Sequence, residues 1–260
     1  MIGKVRSSDG TVIAFERSGA GPPVILVGGA FNDRTTAAPL AAALAPRMTV
    51  FAYDRRGRGD SGDTAPYAVE REVDDLRALI AEAGGAAALY GLSSGAILVI
   101  EAAIQGAAIT KMALFEPPYV TDRSRPAQSA NLPTQLAELT SAGRSGEAVE
   151  LFLTRAVGVP PDGVAQMRST PMWPALEKMA HTLVYDTTIT GDGEVPAGRL
   201  AAVTVPALVL DSTASPPWLR ASAQTLAGAL PDATHRSLDG QFHDVPPPVL
   251  APVLAEFLLR

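Results

Sequence analysis

Residues 91–95 of the chain read Gly-Leu-Ser-Ser-Gly, and apolar runs stand on both sides, Ala86–Tyr90 before and Ala96–Ile100 after. A strand, then G-x-S-x-G, then a helix is the pattern of a serine held at the tip of a very sharp turn. The backbone at such a serine is strained, and a side chain two residues before or after it would collide with the turn. Ser93 has Gly91 and Gly95 at those offsets, whereas Ser94 has Gly95 directly beside it and nothing suitable upstream. The turn also aims a helix N-terminus at Ser93, where free N–H groups favour developing negative charge.

The rest of the chain alternates strand and helix around this feature. Gly3–Ser7 and Thr11–Glu16 flank Asp9-Gly10, a hairpin signal. The continuous apolar run Pro23–Val27 predicts a strand buried on both faces. A helix over Thr35–Ala45 and a strand over Thr49–Tyr53 follow. Val69, Val73, Leu76 and Ile80 recur at helical spacing, and Gly84-Gly85 ends that helix. Beyond the elbow come strands at Met112–Phe115, Ala207–Leu210 and Thr234–Leu238, with helices over Trp218–Ala229 and Pro248–Leu259. Such units imply an α/β fold, a mostly parallel sheet with helices on both faces.

Residues 119–202 break this rhythm. Helical pattern recurs at Leu136–Thr140, Ala148–Ala156, Val164–Arg168 and Leu176–Leu183 without an intervening strand. The expected organisation is a sheet core made of residues 1–118 and 203–260, with 119–202 inserted as a helical cap. A length of 260 residues suits one core plus such an insertion.

Composition narrows the function classes. Hydrophobic residues at 47% and charged residues at 18% describe a packed globule. A net charge of −6 argues against nucleic acid or an anionic membrane as partner. The chain has no cysteine, which removes disulfides and thiolate metal ligands. The first residues lack the apolar core of a signal peptide and no run approaches a membrane-spanning length, so a cytoplasmic protein is expected. No histidine–carboxylate cluster and no phosphate-binding glycine loop outside the elbow calls for a metal or an organic cofactor. The oligomeric state stays open, a homo-oligomer included.

Four segments together resemble the α/β-hydrolase superfamily along essentially the whole chain. They are Gly28-Gly29-Ala30-Phe31, Asp54–Gly62, Gly91–Gly95 and Gly240-Gln241-Phe242-His243, each at the end of a predicted strand or in the loop after it. The resemblance extends to the capped branch that holds esterases, lactonases, cofactor-free haloperoxidases, haloalkane dehalogenases and carbon–carbon bond hydrolases, and does not by itself choose among them. It implies an eight-stranded sheet, Ser93 as nucleophile and His243, in the loop before the last helix, as general base. Of the other two histidines, His181 reads as cap packing or pocket lining, and His235 as a solvent-facing residue of the last strand. Oxyanion donors are expected at the backbone N–H groups of Ala30 and Ser94. The His-Gly that opens this loop in most relatives is Gly28-Gly29 here. The charged segment Asp54–Gly62 reads as a structural turn whose arginines are balanced by nearby acids.

The acid of the triad does not stand in its usual place. Relatives carry an aspartate a few residues past the penultimate strand, where this chain has Ser215. Two carboxylates can substitute, or the acid is lost and a slower enzyme is left. Glu116 ends the strand beside the nucleophile's, a position some relatives use, and its length favours it. Asp211 ends the penultimate strand about four residues early and is the alternative.

Methionines and aromatics in the cap, together with Phe31 and Asn32, suggest an adaptable apolar pocket, with Trp173, Met172 and Met179 as candidate lining. The expected function is a serine hydrolase cleaving a small, mainly hydrophobic ester or lactone. A serine nucleophile disfavours epoxide hydrolase and dehalogenase chemistry, which needs a carboxylate there. The alternatives are non-hydrolytic or carbon–carbon chemistry on the same Ser-His site, such as a cyclisation, and a catalytically silent binder of a small ligand.

Overall fold

Strands whose residues are apolar on both faces must be covered on both faces, and that requirement organises the molecule. The structure is a computed structural model and describes residues 2–121 and 129–260. Its strands are β1 (Ile2–Arg6), β2 (Val12–Ser18), β3 (Pro23–Val27), β4 (Thr49–Tyr53), β5 (Ala87–Leu92), β6 (Ile109–Phe115), β7 (Ala207–Ser212) and β8 (Ala233–Leu238). They form one sheet in the order β1-β2-β4-β3-β5-β6-β7-β8. β1 and β2 pair antiparallel, as do β2 and β4, and every later pairing is parallel. This is the α/β-hydrolase fold.

Alternation along each strand feeds two cores. Ile25, Val27, Leu89, Leu114 and Val209 pack under α2 (Val69–Glu82), α3 (Ser94–Ile104) and α10 (Pro217–Ala229). Val24, Leu26, Tyr90, Phe115, Leu208 and Leu210 face the opposite way, toward α1 (Ala38–Leu44) and α11 (Pro247–Leu259). α1 starts three residues later than its sequence pattern suggests. The Asp33 carboxylate accepts the N–H groups of Thr35 and Thr36, and that local turn takes up the residues before the helix.

Between β6 and β7 the chain makes α4 (Leu132–Ser141), α5 (Ser145–Phe152), α6 (Pro161–Arg168), α7 (Trp173–Lys178), α8 (Leu183–Thr190) and α9 (Ala197–Leu200). These helices share a small core of Leu132, Leu136, Val149, Phe152, Trp173, Leu176 and Leu183, against which Ala30 and Phe31 of the sheet's loops pack. Residues 122–128 of the expected cap span lie outside the described residues. The single helix expected over Leu176–Leu183 is two, α7 and α8, joined by a 3₁₀ turn at Ala180–Thr182. α5 continues into a π-helical turn, Leu153–Val157, closed by Gly158 in the left-handed conformation.

Leu89 is fully buried at the centre of β5. Leu89→Ala is expected to destabilise the protein by about 2–5 kcal/mol, read as a lower urea midpoint at unchanged slope.

Candidate active site

The turn after β5 places Ser93 at φ 57° and ψ −124°, and α3 begins at the next residue. The two glycines are required by backbone. A Cβ on Gly91 would lie 2.6 Å from the Ala96 Cα and the Gly95 carbonyl oxygen, and one on Gly95 would lie 2.5 Å from the Val27 carbonyl oxygen. Among the described residues, the non-glycine positions with positive φ are Phe31, Ser93, Glu116 and His243. All four follow the C-terminal ends of strands on one edge of the sheet. Such strain persists only where surrounding contacts fix it, and it gathers at functional sites.

The structure brings Glu116 and His243 together. Glu116 Oε2 accepts the backbone N–H of His243 at 2.8 Å and lies 2.6 Å from His243 Nδ1. The other oxygen, Oε1, accepts the Ser212 N–H at 2.9 Å and the Ser215 hydroxyl, and the Ser212 and Ser215 hydroxyls are 2.8 Å apart. Ser215, at the position where the resemblance leads one to expect an acid, thus donates to Glu116. Burial would raise the Glu116 pKa. The hydrogen bonds from His243, Ser215 and Ser212, with the charge of His243, outweigh that and hold it below the ordinary carboxylate value.

Asp211, the alternative acid, is engaged elsewhere. Its Oδ2 lies 2.7 Å from His235 Nε2, so His235 is a half-buried partner of Asp211 and not a free solvent-facing residue. Strand geometry explains this, since His235 faces the β7 residue Val209 in register and Asp211 lies two residues on, on the same face. His181 does not line the cavity; its Nε2 lies 2.9 Å from the Gly57 carbonyl oxygen.

Ser93 and His243 open into one cavity, with about 660 Å³ of empty space including its mouth. With Nδ1 held by Glu116, Nε2 is the ring nitrogen left for the cavity. Ala30 and Ser94 also line it, together with Pro118, Val120, Phe152, Val157, Trp218 and Phe242. The Phe242 ring stacks on the His243 ring at 4.1 Å between centroids. The cap residues expected to line the cavity do not. Trp173 is buried in the cap's own core with its indole N–H on Glu177 at 2.9 Å, Met172 is exposed, and Met179 sits beside them at the end of α7. A helix presents only one stripe to the sheet, and α7 turns its apolar stripe to its neighbours in the cap. Phe31 and Asn32, expected there too, do not line the cavity either: Phe31 meets Phe152 edge-on at 5.5 Å, and Asn32 braces the loop by accepting the Gly29 N–H at 3.0 Å.

One lining residue had no signal in the sequence. Asp186 on α8 is fully buried, and its carboxylate meets Arg55, Arg58 and the Ser94 hydroxyl. The arginines do find acids, as expected of Asp54–Gly62, but one of those acids comes from the cap.

The alpha/beta hydrolase family model matches residues 14–248. The chain belongs to the α/β-hydrolase family. An α/β-hydrolase structure from Sphaerobacter thermophilus DSM 20745 is 56% identical over 98% of this chain and 99% of that one, with a TM-score of 0.93. The enol-lactonase from Burkholderia xenovorans LB400 shares the fold at 22% identity, 99% and 100% coverage and a TM-score of 0.73. The esterase from Exiguobacterium antarcticum does so at 17% identity, full coverage of both chains and a TM-score of 0.76. No curated protein sequence matches the chain. Among the described residues of this α/β-hydrolase, no group of three or more His, Asp or Glu side chains is arranged to hold a metal ion, and no helix is long and apolar enough to cross a membrane.

Two outcomes follow from this geometry. Gly95→Ala should abolish soluble folding or cut the thermal midpoint sharply, because the clash is with backbone; an unshifted midpoint would contradict the turn described. A carboxylate whose folded-state pKa is depressed contributes stability above its unfolded value and loses it as pH falls through the folded one. Glu116→Gln should therefore flatten the acid-side fall in stability below about pH 4.5, measured by denaturation at stepped pH.

Proposed function

We propose that this α/β-hydrolase is a serine hydrolase that cleaves a small, mainly hydrophobic ester or lactone through an acyl-enzyme. The observation that carries the reading is the buried Glu116 carboxylate on His243 Nδ1 at 2.6 Å, with Ser93 and His243 lining the same cavity. In this reading Glu116 selects the imidazole tautomer with its proton on Nδ1 and steadies the imidazolium that forms.

Ser93 Oγ attacks the carbonyl carbon while its proton passes to His243 Nε2. The carbonyl oxygen becomes an oxyanion facing the Ala30 and Ser94 N–H groups. As the C–O bond breaks, His243 returns the proton to the leaving alcohol, which in a lactone stays tethered to the acyl group. Water then gives a proton to His243 and attacks the acyl-enzyme, and collapse of the second tetrahedral intermediate frees the acid and restores Ser93. The apolar walls, Phe152, Val157, Trp218 and Phe242 among them, suit an uncharged hydrocarbon portion of the substrate. The names of two structural neighbours, an enol-lactonase and an esterase, agree with this class.

A p-nitrophenyl ester panel under stopped flow tests the reading. The parent should show an acyl burst that Ser93→Ala abolishes. Glu116→Gln should lower kcat by about 10⁴ through loss of the correct tautomer, while Asp211→Asn stays near the parent. A parent without a burst or turnover on any ester would contradict it.

A further inference from the structure

The cluster behind the two proposed oxyanion donors goes beyond charge balance. Asp186 Oδ1 accepts the Ser94 hydroxyl at 2.7 Å and Arg55 Nη1 at 2.7 Å, and Oδ2 accepts Arg58 Nη2 at 2.7 Å. Arg58 Nη1 in turn donates to the Gly29 carbonyl at 2.5 Å and to the Asn32 carbonyl at 3.2 Å, and Arg55 Nη1 to the Gly28 carbonyl at 3.3 Å. The other end of Arg55 is held by Glu72, at 2.8 Å from Nε and 2.7 Å from Nη2.

The Gly29 carbonyl and the Ala30 N–H belong to one peptide group. A guanidinium on that carbonyl fixes the peptide plane and polarises the amide, which strengthens its N–H as a donor. The Ser94 N–H is the other donor, and the Ser94 side chain is tied to the same Asp186. One carboxylate therefore holds both halves of the hole, and it comes from α8 of the cap. Buried ion clusters contribute little net stability compared with apolar packing, so stability alone does not account for two arginines and two acids placed under this loop.

We propose that Asp186 is a positioning residue: the cap's carboxylate sets the geometry of both oxyanion donors, through Ser94 on one side and through Arg58 on the other. The seated cap is then part of the catalytic geometry as well as a wall of the pocket. This inference rests on the serine-hydrolase reading, and its failure is separable from failure of that reading.

The test uses Ser94→Ala, which removes one hydrogen bond and leaves the ion pairs in place, alongside Ser94→Thr, which keeps a hydroxyl, and Asp186→Asn. Hydrolysis of p-nitrophenyl butyrate and inhibition by phenylboronic acid, which forms a tetrahedral adduct on the serine, are the readouts. Loss of a whole oxyanion donor costs about 10²–10³ in kcat, and a misplaced one should cost about 10-fold. Ser94→Ala should lower kcat by about that factor with KM within about twofold. The boronate inhibition constant should rise in parallel, the thermal midpoint should hold, and Ser94→Thr should restore activity. Asp186→Asn should lower kcat at least as far, and the double variant should lose less than the product of the two. If Asp186→Asn does not fold, the Ser94 pair decides alone. A Ser94→Ala enzyme with kcat and boronate affinity at or above the parent's would overturn the inference, as would a loss that follows unfolding and that Ser94→Thr does not restore. A parent that neither hydrolyses the ester nor binds the boronate would instead overturn the serine-hydrolase reading.

Discussion

A carboxylate with no exposed surface stands directly after β6, and two separate pieces of chain converge on it. Glu116 takes a backbone N–H from the last residue of β7 and a hydroxyl from the loop after it, and a backbone N–H and a ring nitrogen from the loop after β8. Burying an ionised carboxylate is unfavourable unless its oxygens are satisfied, and here both oxygens are. The consequence runs in both directions. The two loops point donors at Glu116, and both Glu116 and His243 sit at positive φ, uncommon for residues other than glycine. Removing the carboxylate would leave the two loops without their common anchor.

A second set of polar contacts fixes the helices between β6 and β7 over this edge. Tyr185 of α8 stacks on Tyr67 at 4.0 Å between centroids and donates its hydroxyl to Asp63 at 2.6 Å. His181, in the turn before α8, meets the Gly57 carbonyl, and Asp186 reaches Arg55 and Arg58. All of these partners lie between β4 and the start of α2. The segment Asp54–Gly62 and its neighbours thus serve as the socket for the cap, and the same socket touches the loop that carries Ala30. Packing of the cap and placement of the loop are not independent features of this molecule.

The sheet was legible because its central strands are continuous apolar runs separated by helical periodicity, a pattern with few other solutions. Ser93 was legible from Gly91 and Gly95, since steric exclusion by backbone leaves no other residue at those offsets. Glu116 was reachable by steric reasoning about strand neighbours and side-chain length. Nothing in the sequence showed that Asp211 has its own partner in His235, because that pairing depends on parallel register across β7 and β8. The cap was legible only as helices. Which face of α7 turns inward is decided by tertiary packing, so Trp173 and Met172, plausible as pocket lining, belong to the cap's core and to its surface. Asp186 was invisible for a related reason: helical spacing fades in the Thr-rich stretch of α8, and its arginine partners lie 131 and 128 residues away in the chain.

The contact between Glu116 and His243 can be observed directly by proton NMR of protein labelled with ¹⁵N at its three histidines. A low-field resonance from the His243 Nδ1 proton is expected to disappear in Glu116→Gln and to survive in Asp211→Asn, where only the His235 signal changes. A His243 resonance that survives Glu116→Gln, or that is lost with Asp211, would contradict that contact.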